Sequence, residues 1–168
     1  DVASSRGLGD VYKRQQIFLG SKILTDDILL LDLGGTNLRV GYGNKDQKSV
    51  LKISKQKIHA NEELHKIIQE IVEGSNTSEI VMSVAGPKRE NKITMTNRNL
   101  VLDEIELKKN TKTDNFYLLN DWESIGYCLP LLQDEDFKTV KKGINNPEKT
   151  CLAIGPGTGL GFSVLRYI

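Results

Sequence analysis

At 168 residues, 38% hydrophobic and 27% charged, the chain has a composition that predicts a soluble globular protein: one domain, or one lobe of a larger two-lobed enzyme. The formal net charge is +1, with lysines and arginines scattered among the acids, so no basic stripe exists for a nucleic-acid backbone to follow and none is expected as a partner. The longest apolar runs, such as 28–31, fall far short of the roughly 20 residues that cross a bilayer, which predicts no membrane span.

Residues 1–15, DVASSRGLGDVYKRQ, show neither helical nor strand periodicity and are expected to be a non-native, adaptor-derived scar or a disordered tail. A positively charged start followed by an apolar run is missing, so no signal peptide is expected, and the native start is placed between Gln15 and Asp26. The run 28–33, closed by Gly34-Gly35, predicts a strand buried on both faces. Leu38, Val40 and Tyr42 alternate with Arg39 and Gly41, and 50–58 alternates again, which predicts two antiparallel partners. Asn61 is expected to cap a helix in which Leu64, Ile67, Ile68, Ile71 and Val72 recur at helical spacing until Gly74. A fourth strand is predicted over 80–84, ending at Ala85-Gly86-Pro87, then a short alternating segment over 92–96 and a helix over 102–109. Residues 116–119 read as a fifth strand that delivers Asn120-Asp121 to the start of a helix through Ile125 and Leu129. After a polar surface loop over 138–149, the run 150–154 enters a glycine cluster and leaves as a strand over 162–167. The order predicts an α/β fold, a mixed five-stranded sheet flanked by helices, in which ligands bind beyond the carboxyl ends of the strands. Cys128 and Cys151 lie too far apart for a CxxC pair and are too few for a disulfide scaffold; they are expected to be buried small hydrophobes in a protein of the reducing cytoplasm.

The chemistry-bearing residues fall at those strand ends. Asp32-Leu33-Gly34-Gly35-Thr36-Asn37-Leu38-Arg39 sets a carboxylate before a two-glycine turn, with hydroxyl, amide and guanidinium groups after it. Glycines let backbone amides approach phosphate oxygens and adopt positive φ, Thr36 adds a hydroxyl donor, and Asp32 would face hydrated Mg²⁺. Gly155-Pro156-Gly157-Thr158-Gly159-Leu160-Gly161 is a second candidate phosphate loop. Neither fits the Gly-Lys-Ser/Thr loop of P-loop ATPases or the GxGxxG of dinucleotide-binding folds. Asn120 and Asp121 put an amide and a carboxylate at a helix start, where both suit capping and where Asp121 could take a proton from an attacking alcohol. His59 and His65 lack metal-ligand spacing and are expected at the surface, while Trp122 and Tyr127 are expected to pack in the core.

Taken in order, LLLDLGGTNLRVGYG, MSVAGP, ITMTNRN, LLNDWESIGYCLP and AIGPGTGLGFSVL resemble the N-terminal half of the bacterial glucokinase family, within the sugar kinase, actin and Hsp70-like superfamily. The resemblance implies a ribonuclease H-like or actin-like ATPase lobe over 16–150, and over 151–168 a second phosphate motif with the first strands of a truncated C-terminal lobe. It implies Mg²⁺-dependent transfer of the γ-phosphate of ATP to the 6-hydroxyl of glucose, with Asp121 as the catalytic base and Asn120 and Asn97 holding sugar hydroxyls. Asp32, Gly34, Gly35 and Thr36, with the neighbouring Asn37 and Arg39, belong to the first phosphate motif, and Gly157, Thr158 and Gly159 to the second. Leu100 stands where relatives often carry an aromatic residue, and Lys88-Arg89 adds charge after the Ala-Gly-Pro turn. The chain ends before the family's Glu-Gly-Gly-His sugar loop and adenosine lobe, so little turnover is expected from it alone, together with an exposed apolar cleft face. A homodimer is left open for the full-length protein.

The rival readings are a kinase of the repressor, open reading frame and kinase family acting on another hexose or an N-acylated sugar, a non-catalytic sugar-sensing module, and an actin-like ATPase. Asp32 and Asp121 argue against the second, and the Asn120-Asp121 pair against the third.

Overall fold

Three apolar strands running side by side in the same direction form the centre of the chain. In the computed structural model, which describes residues 28–45, 49–144, 146, 148–156 and 160–166, they are β1 (Ile28–Leu33), β4 (Glu79–Val84) and β8 (Phe116–Asn120). β2 (Asn37–Asn44) and β3 (Ser49–Lys57) meander antiparallel from β1, giving the mixed order β3-β2-β1-β4-β8. The predicted tail over 1–15 lies outside the described residues.

Alternation along the strands decides which face is covered. Leu29, Leu31 and Leu33 of β1, Ile80, Met82 and Val84 of β4, and Phe116 and Leu118 of β8 are all at most 2% exposed. They pack under α1 (Asn61–Glu73) through Leu64, Ile68 and Ile71 and under α2 (Glu104–Thr111) through Leu107. Leu30, Asp32, Val81, Ser83 and Leu119 point to the opposite face. There they line an open, largely apolar groove with Ser124, Tyr127 and Cys128 of α3 (Asp121–Cys128). β1 is therefore buried on one face and half-buried on the other, rather than buried on both as its unbroken apolar run suggests.

Three local expectations are corrected. Asn61 does not cap α1; Ala60 occupies that position without a side-chain bond, because Asn61 Nδ2 donates to Arg98 O (2.6 Å) instead. The helix read over 102–109 begins only at Glu104. Its first residues belong to β7 (Leu100–Asp103), which with β5 (Lys88–Arg89) and β6 (Lys92–Met95) makes a small antiparallel sheet. Leu100 and Leu102 alternate into the core, and the Asp103 carboxylate accepts from Ile105 N (2.9 Å), which fixes the helix start one residue later. Both cysteines are exposed: Cys128 lies in the last turn of α3 and Cys151 opens the strand β9 (Cys151–Pro156).

The Lys92 ammonium, 3.1 Å from Asp103, together with the cap bond holds the Asp103 carboxyl below its ordinary range. A lowered folded-state pKa adds stability above the unfolded value and loses it as pH falls through the folded one. Asp103→Asn keeps a capping oxygen but cannot titrate, so its acid-induced loss of stability below about pH 4 should be shallower than the parent's, as read by melting temperature against pH.

After α3 come two short 3-10 turns, 129–131 and 134–136, and an exposed stretch. β9 (Cys151–Pro156) and β10 (Leu160–Leu165) then form a separate two-stranded ribbon. One side of the ribbon lies on α3, and the other leaves Leu152, Ile154, Leu160, Phe162 and Val164 exposed. No described helix is long and apolar enough to cross a membrane.

Candidate functional site

Because β1, β4 and β8 are parallel and in register, with Leu33 beside Val84 and Val84 beside Asn120, their carboxyl ends bring three turns to one edge of the sheet. Ala85 N donates to Leu33 O (3.2 Å), and Asn120 Nδ2 donates to Gly86 O (2.7 Å), so the three turns are hydrogen-bonded together. Gly86 is required for that approach: a Cβ there would overlap the backbone of Thr94.

In the first turn Gly34 N donates to Asn37 O (3.0 Å), and Asn37 Nδ2 donates to the exposed Thr36 hydroxyl (2.8 Å). Neither glycine takes a left-handed φ, contrary to the amide-nest expectation. What Gly35 needs is room, since a Cβ would stand 2.8 Å from Asn97 Nδ2, whereas one on Gly34 would meet nothing closer than Asn37 O at 3.8 Å. Asn97, distant in sequence, thus lies on the Gly34-Gly35 turn. Its loop is held by Arg98, whose Nη2 donates to Ile58 O (2.9 Å) and whose Nε donates to Asn61 Oδ1 (3.1 Å), and by Asn99 in the left-handed region. Asp32 and Arg39, directly opposite across β1 and β2, form an ion pair on the half-exposed groove face.

Asn120 is the N-cap of α3. Its Oδ1 accepts from Trp122 N (2.9 Å) and Glu123 N (3.3 Å), and Glu123 Oε2 accepts from Asn120 N (3.2 Å), which completes a capping box. Its Nδ2 also donates to Asp121 Oδ1 (2.8 Å), which takes a second bond from Trp122 N (3.0 Å). The cap and the functional reading therefore coincide: Asn120 orients the Asp121 carboxylate. Asp121 Oδ2 has no partner among the described residues, so it is the oxygen able to accept a proton.

Lys88 Nζ donates to Leu118 O (2.6 Å) and lies 3.6 Å from Glu123 Oε2, so its charge braces this cap. Sequence reasoning missed Lys88, Gly86, Arg98 and Glu123 as supports; only the Asn-x-x-Glu spacing of a capping box signalled one of them. Trp122 is half-buried and packs on the β9–β10 ribbon, and Tyr127 is 61% exposed, so neither belongs to the core as expected. His59 is exposed, whereas His65 is only partly so, with a buried Nδ1. Gly157, Thr158 and Gly159 lie outside the described residues, on the connection between β9 and β10.

Among the described residues no group of three or more His, Cys, Asp or Glu side chains could enclose a metal ion. The single carboxylate of Asp32 beside a glycine turn suits instead a hydrated Mg²⁺ carried mainly by phosphates and water.

The family model for glucokinase matches residues 29–167. The glucokinase of Cronobacter sakazakii is 26% identical over 147 residues, covering 86% of this chain and 46% of that protein. A crystal structure of glucokinase from an Antarctic psychrotroph superposes with a TM-score of 0.68 at 21% identity, covering 84% of this chain and 46% of that one. The glucokinase of Balamuthia mandrillaris in complex with glucose gives 0.66 at 20% identity, covering 84% and 44%. This chain thus spans about half the length of the proteins it matches, and its sheet and helices share the fold of those glucokinases.

Proposed function

The chain belongs to the glucokinase family, and from that premise we propose that it is the N-terminal half of an enzyme transferring the γ-phosphate of ATP to the 6-hydroxyl of glucose. The observation that carries the reading is the meeting of the Gly34-Gly35 turn, Asn97 and Asn120-Asp121 at adjacent strand ends, with one Asp121 oxygen unpartnered among the described residues.

Asp121 Oδ2 accepts the proton of the 6-hydroxyl as that oxygen attacks the γ-phosphorus, and ADP leaves. The backbone amide at Gly35 and the Thr36 hydroxyl take phosphate oxygens, with Gly34 leaving room for their approach and Asn37 and Arg39 beside them, and Gly157, Thr158 and Gly159 form a second contact. Asn97 and Asn120 hold sugar hydroxyls; Asn120 must exchange one of its present bonds to do so. Asp32 would hold Mg²⁺ through water, and the ion, when bound, supplies neutralisation of the phosphate charge. Positioning and electrostatics do most of the work in phosphoryl transfer, which is why a rigid, cross-bonded strand edge suits it.

The test is sugar-dependent ADP release by the family-length protein, this chain continued through its downstream coding sequence, across glucose, mannose and N-acetylated hexosamines. Release with glucose at the highest kcat/KM supports the reading. Preference for an N-acetylated sugar would reassign the substrate, and sugar binding without release would leave a sensor.

Gly34→Ala separates ligand approach from folding. Its Cβ would meet nothing closer than Asn37 O at 3.8 Å, an ordinary contact, so stability should stay within about 1 kcal/mol of the parent. A methyl that keeps one phosphate oxygen from the Gly35 amide or the Thr36 hydroxyl forfeits a bond to a charged oxygen, about 1.5–3 kcal/mol, so ATP affinity should fall at least about tenfold. Unchanged affinity for ATP, by calorimetric titration, would remove this turn from the phosphate site.

A further inference from the structure

Trp122, the chain's one tryptophan, follows Asp121 directly and faces the β9–β10 ribbon. Gly155 and Gly161 stand opposite each other in the ribbon register, on the strands that lead into and out of the 157–159 connection. A Cβ on Gly155 would overlap the far edge of the indole, and one on Gly161 would overlap its pyrrole nitrogen side. One turn further along α3, a Cβ on Gly126 would overlap the Ser163 hydroxyl. The indole therefore lies across a strip of ribbon that carries no side chains. Two of the four glycines in a cluster that reads as a phosphate loop are there to admit a tryptophan.

We propose that Trp122 is a positioning residue: it seats the β9–β10 ribbon, whose strands flank residues 157–159 in sequence, at a set distance from the Asp121 carboxylate. The same residue's backbone N–H donates to Asp121 Oδ1 (3.0 Å), so one residue both orients the carboxylate and spaces the ribbon from it. The proposal rests on the reading of Asp121 as base and of 157–159 as a phosphate contact. It adds the element that seats the flanking strands against α3.

The experiment is a double-mutant cycle between Gly155→Ala and Trp122→Phe, which removes the far edge of the indole that a Gly155 methyl would strike. In the family-length protein Gly155→Ala alone should lower kcat at least about tenfold, because small misplacements of reacting groups cost rates of that order or more. The KM for glucose should move less than about threefold, since the sugar contacts lie elsewhere. The double variant should recover to within about threefold of Trp122→Phe alone. An undiminished loss from Gly155→Ala in the Trp122→Phe background would overturn the proposal, because the glycine would then serve the phosphates directly. Equal losses in kcat and in protein stability with no recovery would also overturn it.

The same cycle read by melting temperature tests the packing without any turnover. A family-length protein that phosphorylates no sugar, but in which Trp122→Phe rescues the melting loss of Gly155→Ala, would fail the kinase reading and keep the Trp122 seat.

Discussion

Replacing Asp121 by asparagine is expected to lower kcat for glucose phosphorylation by about 10² to 10⁴-fold, the range for removal of a general base. Asparagine preserves the shape. Its Oδ1 can keep the bonds from Asn120 Nδ2 and Trp122 N, so α3 and its capping box should remain intact. What disappears is the anionic Oδ2, the oxygen that no other group engages among the described residues. The melting temperature and glucose affinity should therefore stay near those of the parent, and the whole effect should fall on kcat. Rapid-quench or steady-state assay of the family-length protein, with calorimetric glucose binding beside it, separates the two. A loss of glucose binding as large as the loss of kcat would make Asp121 a ligand rather than a base.

Phe116→Ala carries the second large effect, on stability. Phe116 is fully buried at the start of β8, beside Ile80 and beneath the helix layer, and is among the largest side chains in the core. Truncating a buried phenylalanine costs about 3–5 kcal/mol, a substantial share of the roughly 5–15 kcal/mol that holds a domain folded. The next residue supplies the control. Tyr117 is 44% exposed on the other face, so Tyr117→Ala should cost far less. Because β8 ends in Asn120-Asp121, a Phe116→Ala protein that still folds should also lose activity. Thermal and denaturant unfolding of the two variants side by side checks the contrast; similar losses would mean that the buried face of the sheet has been misassigned.

Much of the sheet was legible because its strands are short apolar runs that end in glycine or in Asn-Asp. Ile28–Leu33 was located to the residue, and β4 and β8 to within one. Legibility failed where two local signals competed. Leu100–Asp103 and Glu104–Thr111 share a stretch of alternating and helical apolar residues, and only the turn of the Asp103 carboxylate onto Ile105 N divides them. Asn61 has the chemistry of a cap but is claimed by Arg98, a partner 37 residues away, and no local pattern announces such a partner.

The candidate site was legible as residue types, not as an arrangement. The pattern singled out Asn97, Asn120 and the Gly34-Gly35 turn. That Asn97 lies on Gly35 and that Asn120 is bonded to Gly86 depends on parallel register between strands far apart in sequence, pairing Leu33 with Val84 and Val84 with Asn120. The exposed cysteines share that cause: small apolar character predicts burial, but Cys128 and Cys151 sit at the open groove and on the outer ribbon.

³¹P NMR of the family-length protein with ATP and glucose, and with 6-deoxyglucose as control, reads out the phosphate transfer to a sugar hydroxyl proposed for this strand edge. A phosphomonoester at the 6-position should appear in step with ADP, with no transfer to the deoxy sugar. Release of free phosphate at the same rate with either sugar or none would contradict it, and would make the chain part of an ATPase.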